Sequence, residues 1–372
     1  MIYFDNAATS FPKPECVNRE LIKCVKKYLG NPGRSSHRLS LMAAEKIYSA
    51  REEVAELLGV NAPEQIVFTY NATHALNLAI KSFVTKDCHV LTSDFEHNSV
   101  IRPLEKMKQV LGITYSLFSC DGDVKANLDS VLQANTTGII CSIASNVLGY
   151  ELPLKLLSSY ARERGLFLII DASQAIGHID INLEDTPCDA LCAPGHKALF
   201  GIQGCGFAYF KDPQRREGLI EGGSGSDSIN PNMPITLPEG YEAGTPATPA
   251  IVTLGSGIRF IKNVGIDEIG RKLRFLTCEA KYRLESIPSI KVYKEGVGLI
   301  SFNAIGLTSS YVSSMLDKKG FCVRGGLHCA PSVHRKLGTL NQGTVRLSFS
   351  YLNHLNEIDA LYKAIKSIVS EK

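Results

Sequence analysis

The sequence predicts an α/β fold in which a mostly parallel seven-stranded sheet lies between helices, together with a smaller α+β domain. Seven short apolar runs occur before residue 211, each bounded by polar or glycine-containing turns. Most are separated by stretches whose apolar residues recur at helical spacing. Strands that alternate with helices pair mainly in parallel, with helices on both faces of the sheet. At 372 residues the chain can bury a full core in two domains.

In chain order, residues 1–14 are expected to form an irregular arm, because Pro12 and Pro14 discourage a helix before Glu15. Helices are predicted at 15–29, at 39–58, from residue 71 onward and at 153–164. The predicted strands are 65–70, 89–92, 112–118, 138–142, 166–170, 190–193 and 206–210.

After residue 210 the chain becomes rich in glycine and proline, which predicts a long loop. A long helical stretch at about 247–286 follows. The last part is expected to combine strands at 298–302 and 344–350, a helix at 309–319 and a terminal amphipathic helix. We therefore assign residues 15–250 to a large domain, and residues 1–14 and 251–372 to a small α+β domain.

Composition excludes several classes of protein. The net charge is +3 and no block of like charge occurs, so no nucleic-acid partner is expected. No window is apolar enough to cross a membrane and the start lacks signal-peptide features, so we expect a cytoplasmic protein. The eleven cysteines are scattered without a C-x-x-C pair, which indicates neither a metal site nor a disulfide framework. Most of them are expected to be inert buried thiols.

Polar residues follow the carboxyl ends of several predicted strands, where α/β sheets bind their ligands. Asp171 ends one buried strand and Lys197 follows the next. Pyridoxal phosphate (PLP) chemistry requires such a pair: the lysine forms a Schiff base, and the carboxylate keeps the pyridine nitrogen protonated. The helix beginning at 71–74 offers free N–H groups to a phosphate. The residues expected to converge here are Thr73, His97, Asn146, Asp171, Gln174 and Lys197.

Seven ordered stretches resemble the class V aminotransferase group of fold-type I PLP enzymes, and within it the cysteine desulfurases and selenocysteine lyases of the Suf-like branch. They are residues 3–9, 96–98, 145–149, 171–174, 195–197, 242–246 and 324–329. The resemblance implies that Lys197 holds PLP and moves the substrate α-proton. It also implies that Asp171 pairs with the pyridine nitrogen, Gln174 bonds the ring hydroxyl and His97 stacks on the ring. His97 is a catalytic candidate as well, because a histidine at this place can exchange protons with the substrate.

The same resemblance implies the remaining contacts. The cofactor phosphate would be held by Thr73, the backbone at His74, His196, and Thr245 of a neighbouring subunit, which makes the protein a homodimer. Asn146, which also contacts the cofactor, and Arg346 would bind the substrate carboxylate, for which a guanidinium is well suited. Arg324 would line that pocket, and His37 is a further candidate for substrate contact. Two departures concern the phosphate: Pro194 stands where serine is usual in the Suf-like branch, and Ala72 and His74 replace common threonine and acidic residues.

Cys329 separates a desulfurase from an aminotransferase. Its thiolate would attack the sulfur of bound L-cysteine, forming a persulfide and releasing L-alanine, and the sulfur would pass to an acceptor protein. Arg324 and His328 are expected to favour the thiolate if they approach it. Three alternatives stay open: a selenocysteine β-lyase, a class V aminotransferase of small amino acids, and a non-catalytic scaffold. The non-catalytic alternative for Cys329 is a small buried thiol that only fills space in the core.

Overall fold

The computed structural model describes residues 1–33, 35–212, 219–225 and 229–371. Its helices are α1 (Glu15–Lys27), α2 (Arg38–Leu57), α3 (Ala72–Phe83), α4 (Asn98–Leu111), α5 (Val124–Val131), α6 (Leu154–Glu163), α7 (Thr248–Val264), α8 (Ile266–Glu285), α9 (Ser309–Lys318), α10 (Pro331–Leu337) and α11 (Leu355–Ser370). Its strands are β1 (Ile2–Tyr3), β2 (Ile66–Thr69), β3 (His89–Ser93), β4 (Thr114–Phe118), β5 (Thr136–Ser142), β6 (Phe167–Asp171), β7 (Ala190–Pro194), β8 (Gly206–Phe210), β9 (Ile290–Val292), β10 (Leu299–Ala304), β11 (Phe321–Cys322), β12 (Arg324–Gly326) and β13 (Thr344–Ser348).

The large sheet has seven strands in the order β2-β8-β7-β6-β5-β3-β4. The pairs from β7 to β4 are parallel, and β8 runs antiparallel to both of its neighbours. This arrangement confirms the predicted α/β class with a mostly parallel sheet. Every strand predicted before residue 211 is present, with ends shifted by at most two residues.

The central strands are buried on both faces, which explains their nearly continuous apolar sequence. In β6, Leu168 and Ile170 pack into the core on one face, and Ile169 packs into a second core on the other. Alternation along the strand sends successive side chains to opposite faces. The sheet is therefore a rigid platform whose carboxyl edge carries the polar residues.

The carboxyl-terminal part contains a second sheet in the order β12-β13-β10-β9, with antiparallel pairs. The amino-terminal arm was expected to be irregular, but Ile2–Tyr3 form β1, which pairs in parallel with β11. The short strand escaped prediction because it depends on a partner more than 300 residues away in the chain.

The helical stretch predicted at 247–286 is two helices, because Gly265 has a φ of 92° and separates α7 from α8. That left-handed region favours glycine. The helix α4 was not predicted; Pro103 lies inside it, and an interior proline argues against a helix. In the part of the chain that the structure describes, no helix is long and apolar enough to cross a membrane.

Candidate active site

The carboxyl edge of the large sheet forms a cavity that gathers most of the predicted site residues. Asp171 is the last residue of β6, and Lys197 lies three residues beyond β7. His97 caps the amino end of α4, which follows β3. The polar residues that line the cavity include Thr73, His97, Ser99, Ser142, Asn146, Asp171, Gln174, His196 and Lys197.

Lys197 is the nucleophile candidate of this cavity. Burial lowers the pKa of its amine to about 8, and the nearby Asp171 carboxylate opposes that shift. A lysine with such a pKa is partly neutral near pH 7, and a neutral amine can attack a carbonyl. The lowered pKa of Lys197 therefore suits its amine for forming a covalent bond with a carbonyl carbon.

Asp171 accepts one short hydrogen bond from a serine and has a longer contact with a second serine, whose hydroxyl proton it shares with Glu96. One carboxylate oxygen accepts the N–H of Ser173 at 2.9 Å, and the other lies 3.4 Å from the hydroxyl of Ser142. The same hydroxyl donates to the buried carboxyl of Glu96 at 2.9 Å, and the Ser142 N–H also donates to it at 2.9 Å. Burial raises the pKa of Glu96 to about 7. The sequence assigned no role to Glu96, which lies three residues beyond β3 and has no local feature that marks it as a partner of the site.

His97 presents a neutral ring to the cavity. Its Nδ1 accepts the N–H of Ser99 at 3.0 Å, which caps α4 and fixes the ring. Burial lowers the pKa of His97 to about 4. An uncharged imidazole of fixed orientation can stack on a flat heterocycle.

The amino end of α3 and His196 line the expected phosphate position. Asn71 Oδ1 accepts the His74 N–H at 2.9 Å, so that donor is engaged by the helix cap. The Thr73 hydroxyl is 2.8 Å from the Ser99 hydroxyl. Gly206 lets β8 approach the backbone of Asn71 closely, because a Cβ at position 206 would lie 2.6 Å from the Asn71 carbonyl carbon. His196 Nδ1 is buried and has no hydrogen-bond partner among the described residues.

Asn146 lines the cavity, and Arg346 contacts it from behind that lining. Asn146 donates to the carbonyl of His328 at 2.7 Å, and Arg346 donates to the Asn146 carbonyl at 3.0 Å. Arg346 is buried, and its other terminal nitrogen donates to Asp5 at 2.7 Å. The Asn146 Oδ1 and Arg346 Nε atoms lack partners within the described chain. Buried polar atoms are usually paired, so these two await a ligand or a water.

Cys329 is exposed and has a left-handed φ of 58°. Arg324 lies 3.8 Å from its sulfur, so the predicted approach of this cation is present. The expectation for His328 is wrong. Its ring is buried against Thr344, and burial lowers its pKa to about 2, so it carries no charge to stabilise a thiolate. Of Arg324 and His328, only Arg324 carries a positive charge that can stabilise the Cys329 thiolate.

Besides Arg324, Cys329 and Arg346, three predicted residues do not line this cavity: His37, His74 and Thr245. Thr245 and the side chain of His74 line a separate cavity, where His74 stacks on Tyr70. His37 is exposed and caps the amino end of α2, accepting the Ser40 N–H at 3.2 Å. Their roles stay predictions.

The remaining cysteines are mostly buried, as expected, but Cys16 and Cys278 are exposed. Burial raises the pKa of Cys141 and of Cys192 well above that of a free thiol. Such thiols stay protonated and unreactive. Exposed Cys278 is distant from the cavity residues in sequence and lies on α8, so it serves as a natural control for Cys329.

The fold and the lysine–aspartate cavity define a class of protein. A model of the aminotransferase class-V family matches residues 2–361, and the chain belongs to that family. Members of the family depend on PLP. The residues of the cavity fit PLP. They supply a nucleophilic lysine, a carboxylate at the end of a strand, a neutral imidazole ring, and a glycine that lets the backbone lie close to the amino end of a helix.

Particular relatives are similar over nearly the whole chain. A probable cysteine desulfurase of Pyrococcus abyssi is 31% identical, covering 99% of this chain and 94% of its own. One from Halalkalibacterium halodurans is 30% identical, covering 98% and 92%. The solved structure of a cysteine desulfurase from Thermococcus onnurineus is 30% identical with a TM-score of 0.91, covering 100% of this chain and 95% of that one.

Proposed function

We propose that this protein is a PLP-dependent cysteine desulfurase that converts L-cysteine to L-alanine and takes the sulfur onto Cys329. The observation that carries the proposal is the exposed Cys329 thiol, with Arg324 beside it, on a groove that borders the Lys197 cavity. The groove and the cavity share Thr73, His97 and Ser99. The names of the relatives support the same activity.

In this proposal each residue of the cavity has one task. Bound PLP supplies an electron sink for the substrate α-carbon. Lys197 Nζ takes and returns the α-proton, which its lowered pKa makes possible near neutral pH. Asp171 holds the proton of the ring nitrogen, and the neutral ring of His97 covers the heterocycle. Gln174 donates one amide N–H to the Ala7 carbonyl at 3.0 Å, and its second N–H can bond the oxygen of the ring hydroxyl.

Substrate and phosphate are held at opposite sides. Arg346 donates its unpaired Nε–H to the substrate carboxylate, and Asn146 donates the second N–H of its amide, since its Oδ1 is an acceptor. Thr73 and His196 bind the phosphate, with Thr245 from a second subunit, so we propose a homodimer. The backbone N–H of His74 joins them when the phosphate replaces the Asn71 cap that engages it here. The domain boundary near residue 250 belongs to the same proposal.

The sulfur step belongs to Cys329. Its thiolate attacks the substrate sulfur, a sulfur–sulfur bond forms, and the carbon–sulfur bond breaks with its electron pair passing to carbon, which is then protonated. Alanine leaves and the persulfide stays on Cys329. The Arg324 guanidinium stabilises the attacking thiolate.

The test is a Cys329→Ser protein assayed with L-cysteine, with Cys278→Ser as the matched control of another exposed thiol. We expect kcat/KM for alanine formation to fall at least about a hundredfold in Cys329→Ser, because the nucleophile is lost. Mass spectrometry should find one added sulfur on Cys329 in the unmodified protein. Unchanged alanine formation in Cys329→Ser would refute the proposal, and rapid transamination with pyruvate would favour an aminotransferase.

A further inference from the structure

A groove between α3 and α4 leads outward from the Lys197 cavity. Its inner end is lined by Thr73, His97 and Ser99, which also line the cavity, and Cys329 lines the groove itself. The backbone of the Cys329 turn is fixed to α4, because the Asn98 N–H donates to the Cys329 carbonyl at 2.8 Å. The groove therefore connects the thiol to the surface.

Three exposed cations line the outer part of the groove: Lys81, Arg102 and Lys106. Arg102 and Lys106 are four residues apart, so they lie on one face of α4. None of the three forms an ion pair with a described residue, and the described lining of the groove contains no acid. On a chain with a net charge of only +3, this is a local concentration of positive charge.

The groove is longer than the proposed substrate requires. Lys81 lies eight residues beyond Thr73, which is about 12 Å of helix rise. An amino acid bound at Lys197 is too short to span that distance. An extended polypeptide covers about 3.3 Å per residue, so roughly four residues would fill it.

We propose that this groove docks an acidic polypeptide segment that carries the sulfur-accepting thiol. The inference rests on the proposed function of Cys329 and extends it to the kind of partner that receives the sulfur. Carboxylates of the segment pair with Lys81, Arg102 and Lys106 and guide its cysteine to Cys329. The acceptor thiolate then attacks the outer sulfur of the persulfide, the sulfur–sulfur bond breaks, and Cys329 leaves as a thiolate. The acceptor gains the persulfide, and no oxidant or reductant is consumed.

The experiment compares short peptides in which a central cysteine is flanked by aspartate and glutamate, by lysine, or by serine. The intact protein is incubated with L-cysteine and each peptide, and the rate of peptide persulfide formation is measured. We expect the acidic peptide to react about tenfold faster than the basic one at low salt. The difference should shrink above about 0.1 M salt, where charges are screened beyond roughly 10 Å.

Charge reversal provides the control. The triple variant Lys81→Glu/Arg102→Glu/Lys106→Glu should reverse the peptide preference and leave turnover with neutral dithiothreitol unchanged. A matched variant, Lys125→Glu/Lys155→Glu/Lys363→Glu, reverses three exposed lysines outside the groove and should keep the acidic preference. Equal rates for the acidic and basic peptides would overturn the proposal. A changed oligomeric state in the groove variant would also overturn it, because a second copy of the chain would then cover the groove.

Failure of the docking proposal and failure of the proposed function are distinguishable. If Cys329 takes no sulfur from cysteine, the proposed function fails. Fluorescence anisotropy with the acidic peptide, its cysteine replaced by serine, still tests the groove. Binding that weakens about tenfold in the groove variant supports docking, and binding that is equal in both variants refutes it.

Discussion

Replacing Glu242 should destabilise the protein strongly, because it would leave a buried cation without its partner. Both oxygens of Glu242 accept from Arg51, at 2.8 and 2.9 Å, and only 6% of the Arg51 side chain is exposed. Glu242 also accepts the N–H of Phe68, and the guanidinium lies 4.6 Å from the Phe68 ring centre. Glu242 thereby anchors the segment that carries Thr245.

The magnitude follows from this geometry. Breaking a buried ion pair by removing one partner costs about 3–5 kcal/mol. For a chain of this length the unfolding entropy makes that a fall of about 4–6 °C in the melting temperature. The assay is thermal unfolding of Glu242→Leu followed by circular dichroism. The double variant Arg51→Met/Glu242→Leu loses the same acceptor for Phe68 but leaves no stranded charge, so it should melt several degrees higher than Glu242→Leu. If Glu242→Leu melts within about 1 °C of the unmodified protein, the ion pair does not have the stabilising effect argued here.

Three further predictions follow from the cavity. The rate at which the cofactor-free protein reacts with PLP should rise with pH, reach half of its maximum near pH 8 and level off roughly one pH unit higher, because burial lowers the Lys197 pKa to about 8 and only the neutral amine reacts. A rate that still climbs near pH 10 would contradict this. Burial raises the pKa of Glu96 to about 7, so the folded form binds an extra proton at this residue between about pH 4.5 and 7, and Glu96 contributes a fall of about 3 kcal/mol in unfolding free energy across that range. The buried rings of His97 and His196, whose pKa values burial lowers to about 4, contribute the opposite slope. In denaturant titrations, the unfolding free energy of the unmodified protein should therefore fall by that amount relative to Glu96→Gln as the pH rises. Gly206→Ala should weaken PLP binding about tenfold by forcing the Asn71 turn away from β8, whereas Gly222→Ala, whose nearest neighbour would be 3.8 Å away, should not.

The sequence allowed the sheet and its edge to be predicted, because both depend on local patterns. Asp171 and Lys197 follow apolar runs directly, and the rule that ligands bind at the carboxyl edge then places them together. The partners that hold them were not predictable in the same way. Glu96 reaches Ser142 across 46 residues, and Arg346 reaches Asp5 across 341. Nothing local distinguishes an acid that supports a catalytic carboxylate from one that caps a turn.

The amino-terminal arm supports the active site, although its sequence predicts only an irregular segment. Its backbone donors find partners in distant segments, and this is why no local pattern predicts a structure for it. The carbonyl of His196, one residue before Lys197, lies within 3.2 Å of donors on Thr9, Ser10 and Lys13. A carbonyl oxygen has two lone pairs, so more donors converge on it than it can fully use. The loop that presents Lys197 is therefore held by the arm, and the active site is complete only when residues 9–13 have packed against His196.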